Sequence, residues 1–204
     1  HIKDGVAVTK FLYWIKNSNI RKLDEIKVEK KLESFRKQSK NYLFPSFSTI
    51  AGSGPNGAII HYRSNKKSNR KLNKDHLLLV DSGGQYKWGT TDITRTISFS
   101  DPTKKTKELY TRVLKGHIAV AMSKIDKLKN GNNRDKLARK SLNSINLDYR
   151  HGTGHGVGFF MNVHEGPQSI SKKNFIKLKK GMIVSNEPGI YLENELGIRI
   201  ENLV

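Results

Sequence analysis

Cysteine is absent from the 204 residues. That excludes disulfides, thiolate nucleophiles and cysteine-ligated zinc or iron–sulfur centres. No run of 18 apolar residues occurs, so nothing reads as a membrane-spanning helix. The first residues lack the charged-then-apolar pattern of a secretory signal. His-Glu-x-x-His is missing, which excludes a thermolysin-like zinc site. Neither a Gly-x-Ser-x-Gly elbow nor a Walker loop is present. Gly152-Thr-Gly-His-Gly-Val-Gly158 looks superficially like a dinucleotide loop, but no clear strand precedes it and no helix follows.

Acidic side chains are also scarce, 18 against 38 lysines and arginines, for a formal net charge of +20. Such a balance suggests an anionic partner. The basic runs argue against nucleic acid. Arg63 to Lys74 holds no aromatic residue to stack on a base, and Lys172 to Lys180 holds only Phe175. Neither resembles a helix-turn-helix, a zinc finger or an RNP sequence. Lysine mixed with asparagine and serine reads as solvated loop surface.

The length fits one domain, and 35% hydrophobic residues suffice for a core. Val8, Phe11, Leu12 and Ile15 share one face of a helix over 4–16. Val28, Leu32 and Phe35 suggest a second helix. Residues 47–62 read as strand–turn–strand around Gly52 to Gly57, and 63–75 as a polar loop. Leu77-Leu-Leu-Val-Asp81 is a buried strand, 82–85 a turn, and 91–99 an alternating strand. Helices are expected over 103–127 and 134–145, and strands over 182–186 and 197–204. This order predicts an α+β fold with helices packed on a curved antiparallel sheet. The chain starts on His1 and is still strand-like at Val204, which reads as a piece of a longer protein.

The few acids sit in informative places. Asp81 ends an apolar strand, where an unpaired carboxylate is expensive to bury. Asp92 shares an alternating face with Thr94 and Thr96. Glu187 precedes Pro188-Gly189, and Glu201 shares a strand face with Arg199. The acids are thus arranged as two hairpins, each able to bring two carboxylates to a common point. Four clustered carboxylates repel one another unless a cation holds them, and a pair of divalent metal ions does this. His61, His151, His155 and His164 add to the picture, three of them in glycine-flanked segments. His1, His76 and His117 lack such context and receive no role.

These segments resemble the metal-dependent pita-bread peptidases, and most closely the Xaa-Pro aminopeptidases (aminopeptidase P) of eukaryotic cytosolic type. The resemblance rests on Ser53-Gly-Pro-Asn-Gly-Ala-Ile-Ile-His61-Tyr, Val80-Asp-Ser-Gly-Gly-Gln-Tyr, Gly89-Thr-Thr-Asp-Ile-Thr-Arg-Thr96 and Val113-Leu-Lys-Gly-His-Ile-Ala-Val120. It continues through His151-Gly-Thr-Gly-His-Gly-Val-Gly158, Asn162-Val-His-Glu-Gly-Pro167, Asn186-Glu-Pro-Gly189 and Gly197-Ile-Arg-Ile-Glu-Asn202. Trp88 departs from it, standing where relatives often carry an acid.

The resemblance implies a pita-bread fold and a hydrolase that removes the N-terminal residue from peptides with proline second. A metal-bridged hydroxide would attack the scissile carbonyl. Asp81, Asp92, His155, Glu187 and Glu201 would be the metal ligands, with Asp92 and Glu201 bridging two divalent ions. Manganese is the implied ion, with cobalt or zinc as substitutes. Glu187 would also transfer the proton. His61, His151 and His164 would be catalytic and substrate-binding histidines, with Tyr191 and Arg199 supporting the pocket. Residues 1–204 would be a catalytic domain, incomplete at its C-terminus and lacking the parent protein's N-terminal domains. The parent would be a cytoplasmic homodimer. The alternative is a pita-bread module that has lost catalysis and binds protein or nucleic acid; retention of all five ligand positions favours the enzyme.

Overall fold

The computed structural model describes residues 1–125, 127 and 130–204. The chain opens with helices α1 (Ile2–Lys16) and α2 (Glu25–Arg36). Val8, Phe11 and Ile15 of α1 face Val28 and Leu32 of α2 in one core that extends to Ala51, Leu78 and Val80. Each large side chain buried there contributes about 1.5–3 kcal/mol. Asp24 caps α2 by accepting from the Lys27 amide at 2.9 Å. At the other end, Arg36 and Asp4 form a buried ion pair at 2.7 Å that ties α2 back to α1. The Tyr86 hydroxyl also donates to Asp4.

Strands β1 (Tyr42–Pro45), β2 (Ile50–Ser53), β3 (Leu78–Ser82), β4 (Gly84–Tyr86), β5 (Gly89–Thr90) and β6 (Ile93–Ile97) build two antiparallel sheets, ordered β2-β3-β6 and β1-β4-β5. Helices α3 (Lys104–Ala121) and α4 (Gly131–Asn143) follow and pack together. The remaining strands are β7 (Gly154–His155), β8 (Ser169–Ile170), β9 (Ser185–Asn186), β10 (Gly189–Leu192), β11 (Leu196–Arg199) and β12 (Asn202–Leu203). They pair β7 with β8, β9 with β12 and β10 with β11, all antiparallel. A second core joins Leu109, Val113 and Leu142 to Ile190, Ile198 and Ile200. The α+β expectation holds: helices pack against antiparallel sheets, the arrangement that the resemblance to the pita-bread peptidases implies.

Several local expectations differ. Residues 47–62 hold one strand, β2, not two. After β2 the chain enters a 3-10 turn at Gly54–Ala58. The buried Glu25 carboxylate holds it there, accepting from the Ser53 amide at 2.7 Å, Asn56 Nδ2 at 3.0 Å and the Tyr62 hydroxyl at 2.7 Å. Residues 59–62 therefore fold back rather than pair.

The expected turn at 82–85 contains β4, which pairs Gly84 with Pro45 of β1. The chain changes sheets at Gly83, where a Cβ would stand 2.0 Å from the Thr91 carbonyl. Helix α3 ends at Ala121 instead of 127, and the Ser123 hydroxyl donates to the Val120 carbonyl. Position 126 of that expected helix lies outside the described residues. Helix α4 starts at 131 because Asn130 caps it, donated to by the Asn133 amide at 3.0 Å. The final expected strand over 197–204 is split into β11 and β12, and β10 was not anticipated.

Candidate metal centre and active site

The site lies where the first hairpin set meets the second. Asp81 is the fourth residue of β3 and is paired in register with Thr94 of β6. Asp92 immediately precedes β6, so the β3–β6 pairing brings both acids to one end of the sheet. Glu187 follows β9 and Glu201 precedes β12, and Asn186 pairs with Asn202 between those strands. Cross-links join the sets: the Glu201 amide donates to the Thr94 carbonyl at 3.2 Å, and Thr96 Oγ1 donates to the Arg199 carbonyl at 2.9 Å. His155 arrives from β7. Gly154 lets β7 approach β9, since a Cβ there would lie 1.8 Å from the Ser185 carbonyl.

One oxygen or nitrogen from each of Asp92, His155 and Glu201 lies within 4.8 Å of the others, a grouping able to hold a metal ion. His155 Nε2 is 3.3 Å from Asp92 Oδ2 and 3.4 Å from Glu187 Oε1. Its Nδ1 lies 2.8 Å from the Gly156 carbonyl and must donate there. That orients the ring with Nε2 toward the acids. Burial lowers the His155 pKa, but Asp92 and Glu187 outweigh it and hold the pKa above the usual histidine value. Asp81 stands outside the triad but lines the same pocket, as does Glu187. Asp81 Oδ1 and Glu201 Oε1 are buried with no hydrogen-bond partner among the described residues, whereas such atoms are ordinarily satisfied.

The electrostatics point the same way. Four carboxylates face one buried guanidinium, Arg199. Burial, with the neighbouring acids adding, pushes Asp92 up to about 6 and Glu187 up to about 7. Glu201 is raised well above the usual carboxylate range by burial and by Asp92 and Glu187. Protons can stand in for the missing positive charge, but a hard divalent cation fits this oxygen-rich set better.

The pocket has a volume of about 330 Å³ and is also walled by His61, His151 and His164. His164 packs edge-on against His155, with ring centroids 4.1 Å apart. His61 and His164 make no side-chain hydrogen bond among the described residues, leaving their ring nitrogens available. His151 differs: Nδ1 donates to the Gly152 carbonyl at 2.7 Å, and Nε2 accepts from the Tyr191 hydroxyl at 2.8 Å. Burial first, then Arg199 and Arg139, lower its pKa to about 4, so the ring is neutral. Tyr191 in turn accepts from Arg199 Nη1 at 2.6 Å.

Thus every sequence-derived site residue reaches this neighbourhood, with Tyr191 behind the wall rather than on it. Two contributors were not anticipated. The Ser185 hydroxyl donates to Glu187 Oε1 at 2.8 Å and accepts from the His155 amide. Thr94 Oγ1 donates to Glu201 Oε2 at 2.7 Å. Thr94 was visible only as a face-mate of Asp92; Ser185 gave no sequence signal.

A profile described as metallopeptidase family M24 matches residues 1–204. The chain belongs to metallopeptidase family M24. This M24 chain is 50% identical over 196 residues to Aminopeptidase P2 of Arabidopsis thaliana, covering 93% of the chain and 27% of that protein. It is 46% identical over 197 residues to Xaa-Pro aminopeptidase 1 of Dictyostelium discoideum, covering 93% of the chain and 31% of that protein. Its structure is similar to an X-prolyl aminopeptidase from Caenorhabditis elegans, described as a cytosolic enzyme with a di-nuclear active site. The TM-score is 0.93 at 37% identity, covering 100% of this chain and 34% of that one. A prolidase from Pyrococcus furiosus is also similar, with a TM-score of 0.83 at 28% identity, covering 99% of this chain and 58% of that one. The M24 chain spans about a third of the length of the curated relatives it matches.

Proposed function

We propose that this chain is the catalytic domain of a metal-dependent Xaa-Pro aminopeptidase, removing the residue ahead of an N-terminal proline bond. The observation that carries the proposal is the convergence of Asp92, His155 and Glu201 within 4.8 Å, with Glu187 3.4 Å from the same imidazole. Proline specificity is supported by the relatives' names, since several aminopeptidase P proteins match over 93% of the chain. The parent protein is proposed to be a cytoplasmic homodimer, with residues 1–204 as its catalytic unit.

Asp81, Asp92, His155, Glu187 and Glu201 would hold two divalent ions, manganese by preference. Such an ion pair supplies a nucleophilic water at neutral pH and charge neutralisation for the developing oxyanion. The protein's own groups do the rest. His155 presents Nε2 to the acids because its Nδ1 donates to the Gly156 carbonyl. Glu187 is the proton carrier: its carboxylate accepts the proton of the attacking water and returns it to the departing proline nitrogen. Ser185 holds Glu187 Oε1 in place meanwhile. His61 and His164, with free ring nitrogens, donate to the scissile carbonyl as it becomes an oxyanion. Arg199 neutralises and orients Asp81.

The test is cleavage of Arg-Pro-Pro against Arg-Ala-Ala by the full-length protein, metal-stripped and then restored with manganese. Metal-dependent cleavage of the proline peptide alone is expected. Cleavage of both peptides would make it a broader peptidase. No cleavage despite two bound ions would overturn the catalytic reading in favour of a binding module.

A further inference from the structure

His117 has no part in the proposed chemistry, yet it is buried against the two strands that adjoin Glu187 and Glu201. It lies on α3, and its ring touches β9 and β12 together. Nδ1 is 3.0 Å from the Asn186 carbonyl, and Nε2 is 3.4 Å from Asn202 Nδ2. Asn186 answers by donating its own Nδ2 to the His117 carbonyl at 2.9 Å. Asn186 immediately precedes Glu187, Asn202 immediately follows Glu201, and the two asparagines are register partners.

The hydrogen-bond roles are determined. Asn202 Oδ1 accepts from Arg95 Nη2 at 2.9 Å, so the Asn202 amide nitrogen must face the ring. His117 Nε2 therefore accepts and Nδ1 donates. A buried imidazole with one donor and one acceptor, each matched, joins two strands in a way no apolar side chain of equal size reproduces. Arg95 closes the arrangement by donating to the Glu201 carbonyl at 2.7 Å.

We propose that His117 is a positioning residue: it clasps β9 to β12 from α3 and thereby sets the spacing of the Glu187 and Glu201 carboxylates for metal binding. This rests on the metallopeptidase reading, because spacing matters only if the two glutamates share a cation. Groups that orient metal ligands typically change affinity by 10–100-fold when removed. A ring that merely filled the core would cost stability and leave affinity alone.

The experiment compares metal-free wild-type protein with His117→Leu, Asn202→Ala and Val113→Ala. Val113 is a fully buried core residue of the same helix with no polar tie to either strand. Manganese affinity is measured by calorimetry and the metal-free melting temperature in parallel. His117→Leu and Asn202→Ala are expected to weaken manganese binding 10–100-fold, while Val113→Ala lowers the melting temperature with affinity within twofold of wild type. If His117→Leu does not fold, Asn202→Ala, which removes a half-buried side chain, carries the comparison. Affinities unchanged in the first two variants would overturn the positioning role. A wild-type protein that takes up no manganese would instead overturn the metal reading itself.

Discussion

Arg199 Nη2 donates to Asp81 Oδ2 at 2.6 Å. The same guanidinium reaches the Tyr191 hydroxyl through Nη1 and Thr94 Oγ1 through Nε. One side chain thus orients a candidate ligand, the hydroxyl behind His151 and the threonine that holds Glu201. A lysine keeps the charge but cannot make three directed contacts from one plane. Arg199→Lys is expected to lower manganese affinity and peptide cleavage roughly 10–100-fold. Calorimetry and steady-state kinetics on the full-length protein would check this; wild-type values for both would refute it.

Glu187→Gln keeps the side chain's shape and removes its capacity to carry a proton. Loss of a positioned general acid–base typically costs about 10²–10⁴-fold in rate. The expected outcome is a fall of that size in kcat for the proline peptide, with KM changed far less. An unchanged kcat would remove Glu187 from the proton path.

Binding of an ion to the folded state alone stabilises it by mass action, about 2.7 kcal/mol at a hundred times the dissociation constant. For a chain of this size that corresponds to a rise in melting temperature of roughly 5–10 °C. Manganese should produce this rise in chelator-treated wild-type protein. Asp92→Asn should abolish it, because Asp92 lies in the triad with His155 and Glu201. A rise of equal size in the variant would place the ion elsewhere.

His151 supplies a pH signature. Its pKa is lowered to about 4 in the fold, below the usual histidine value, chiefly by burial. The unfolded chain therefore takes up the proton first as pH falls. The contribution of the neutral ring to stability is complete above pH 6.5 and is lost on the way down to pH 4. The loss amounts to about 1.4 kcal/mol per pH unit in that window. The stability difference between wild type and His151→Asn should shrink at this rate from pH 6.5 to pH 5. Denaturant titrations at several pH values would show it, and a constant difference would contradict a neutral His151.

Gly154 and Gly5 make a paired test of packing. A Cβ on Gly154 would meet the Ser185 carbonyl at 1.8 Å, whereas one on Gly5 would meet nothing within 4 Å. Gly154→Ala should destabilise by about 1–3 kcal/mol as β7 is pushed off β9. Manganese binding should fall with it, since His155 moves with its strand. Gly5→Ala, in the exposed face of α1, should stabilise by about 0.5–1 kcal/mol. Thermal melts of both variants would distinguish these opposite signs.

Sequence alone determined much of this protein. Periodicity located α1 and α2, because their apolar positions recur at helical spacing and those helices bury one face. The strand carrying Asp81 was legible because four apolar residues, Leu77 to Val80, precede a charge that burial penalises. The scarcity of acids made Asp81, Asp92, Glu187 and Glu201 conspicuous, and their spacing in two hairpins announced a cation site. Tertiary structure decided what local pattern cannot encode. Residues 59–62 looked like strand, but Glu25, more than thirty residues earlier, holds Tyr62 and Asn56 in a turn. The hydroxyls of Ser185 and Thr94 were ordinary polar positions until β9 and β6 carried them against Glu187 and Glu201. The sequence left His117 without a role, because a hydrogen bond to a strand 69 residues away leaves no trace in spacing. Short-range pattern reports which face of an element is buried; only the packed chain determines which polar groups meet there, since those partners are set by contacts distant in sequence.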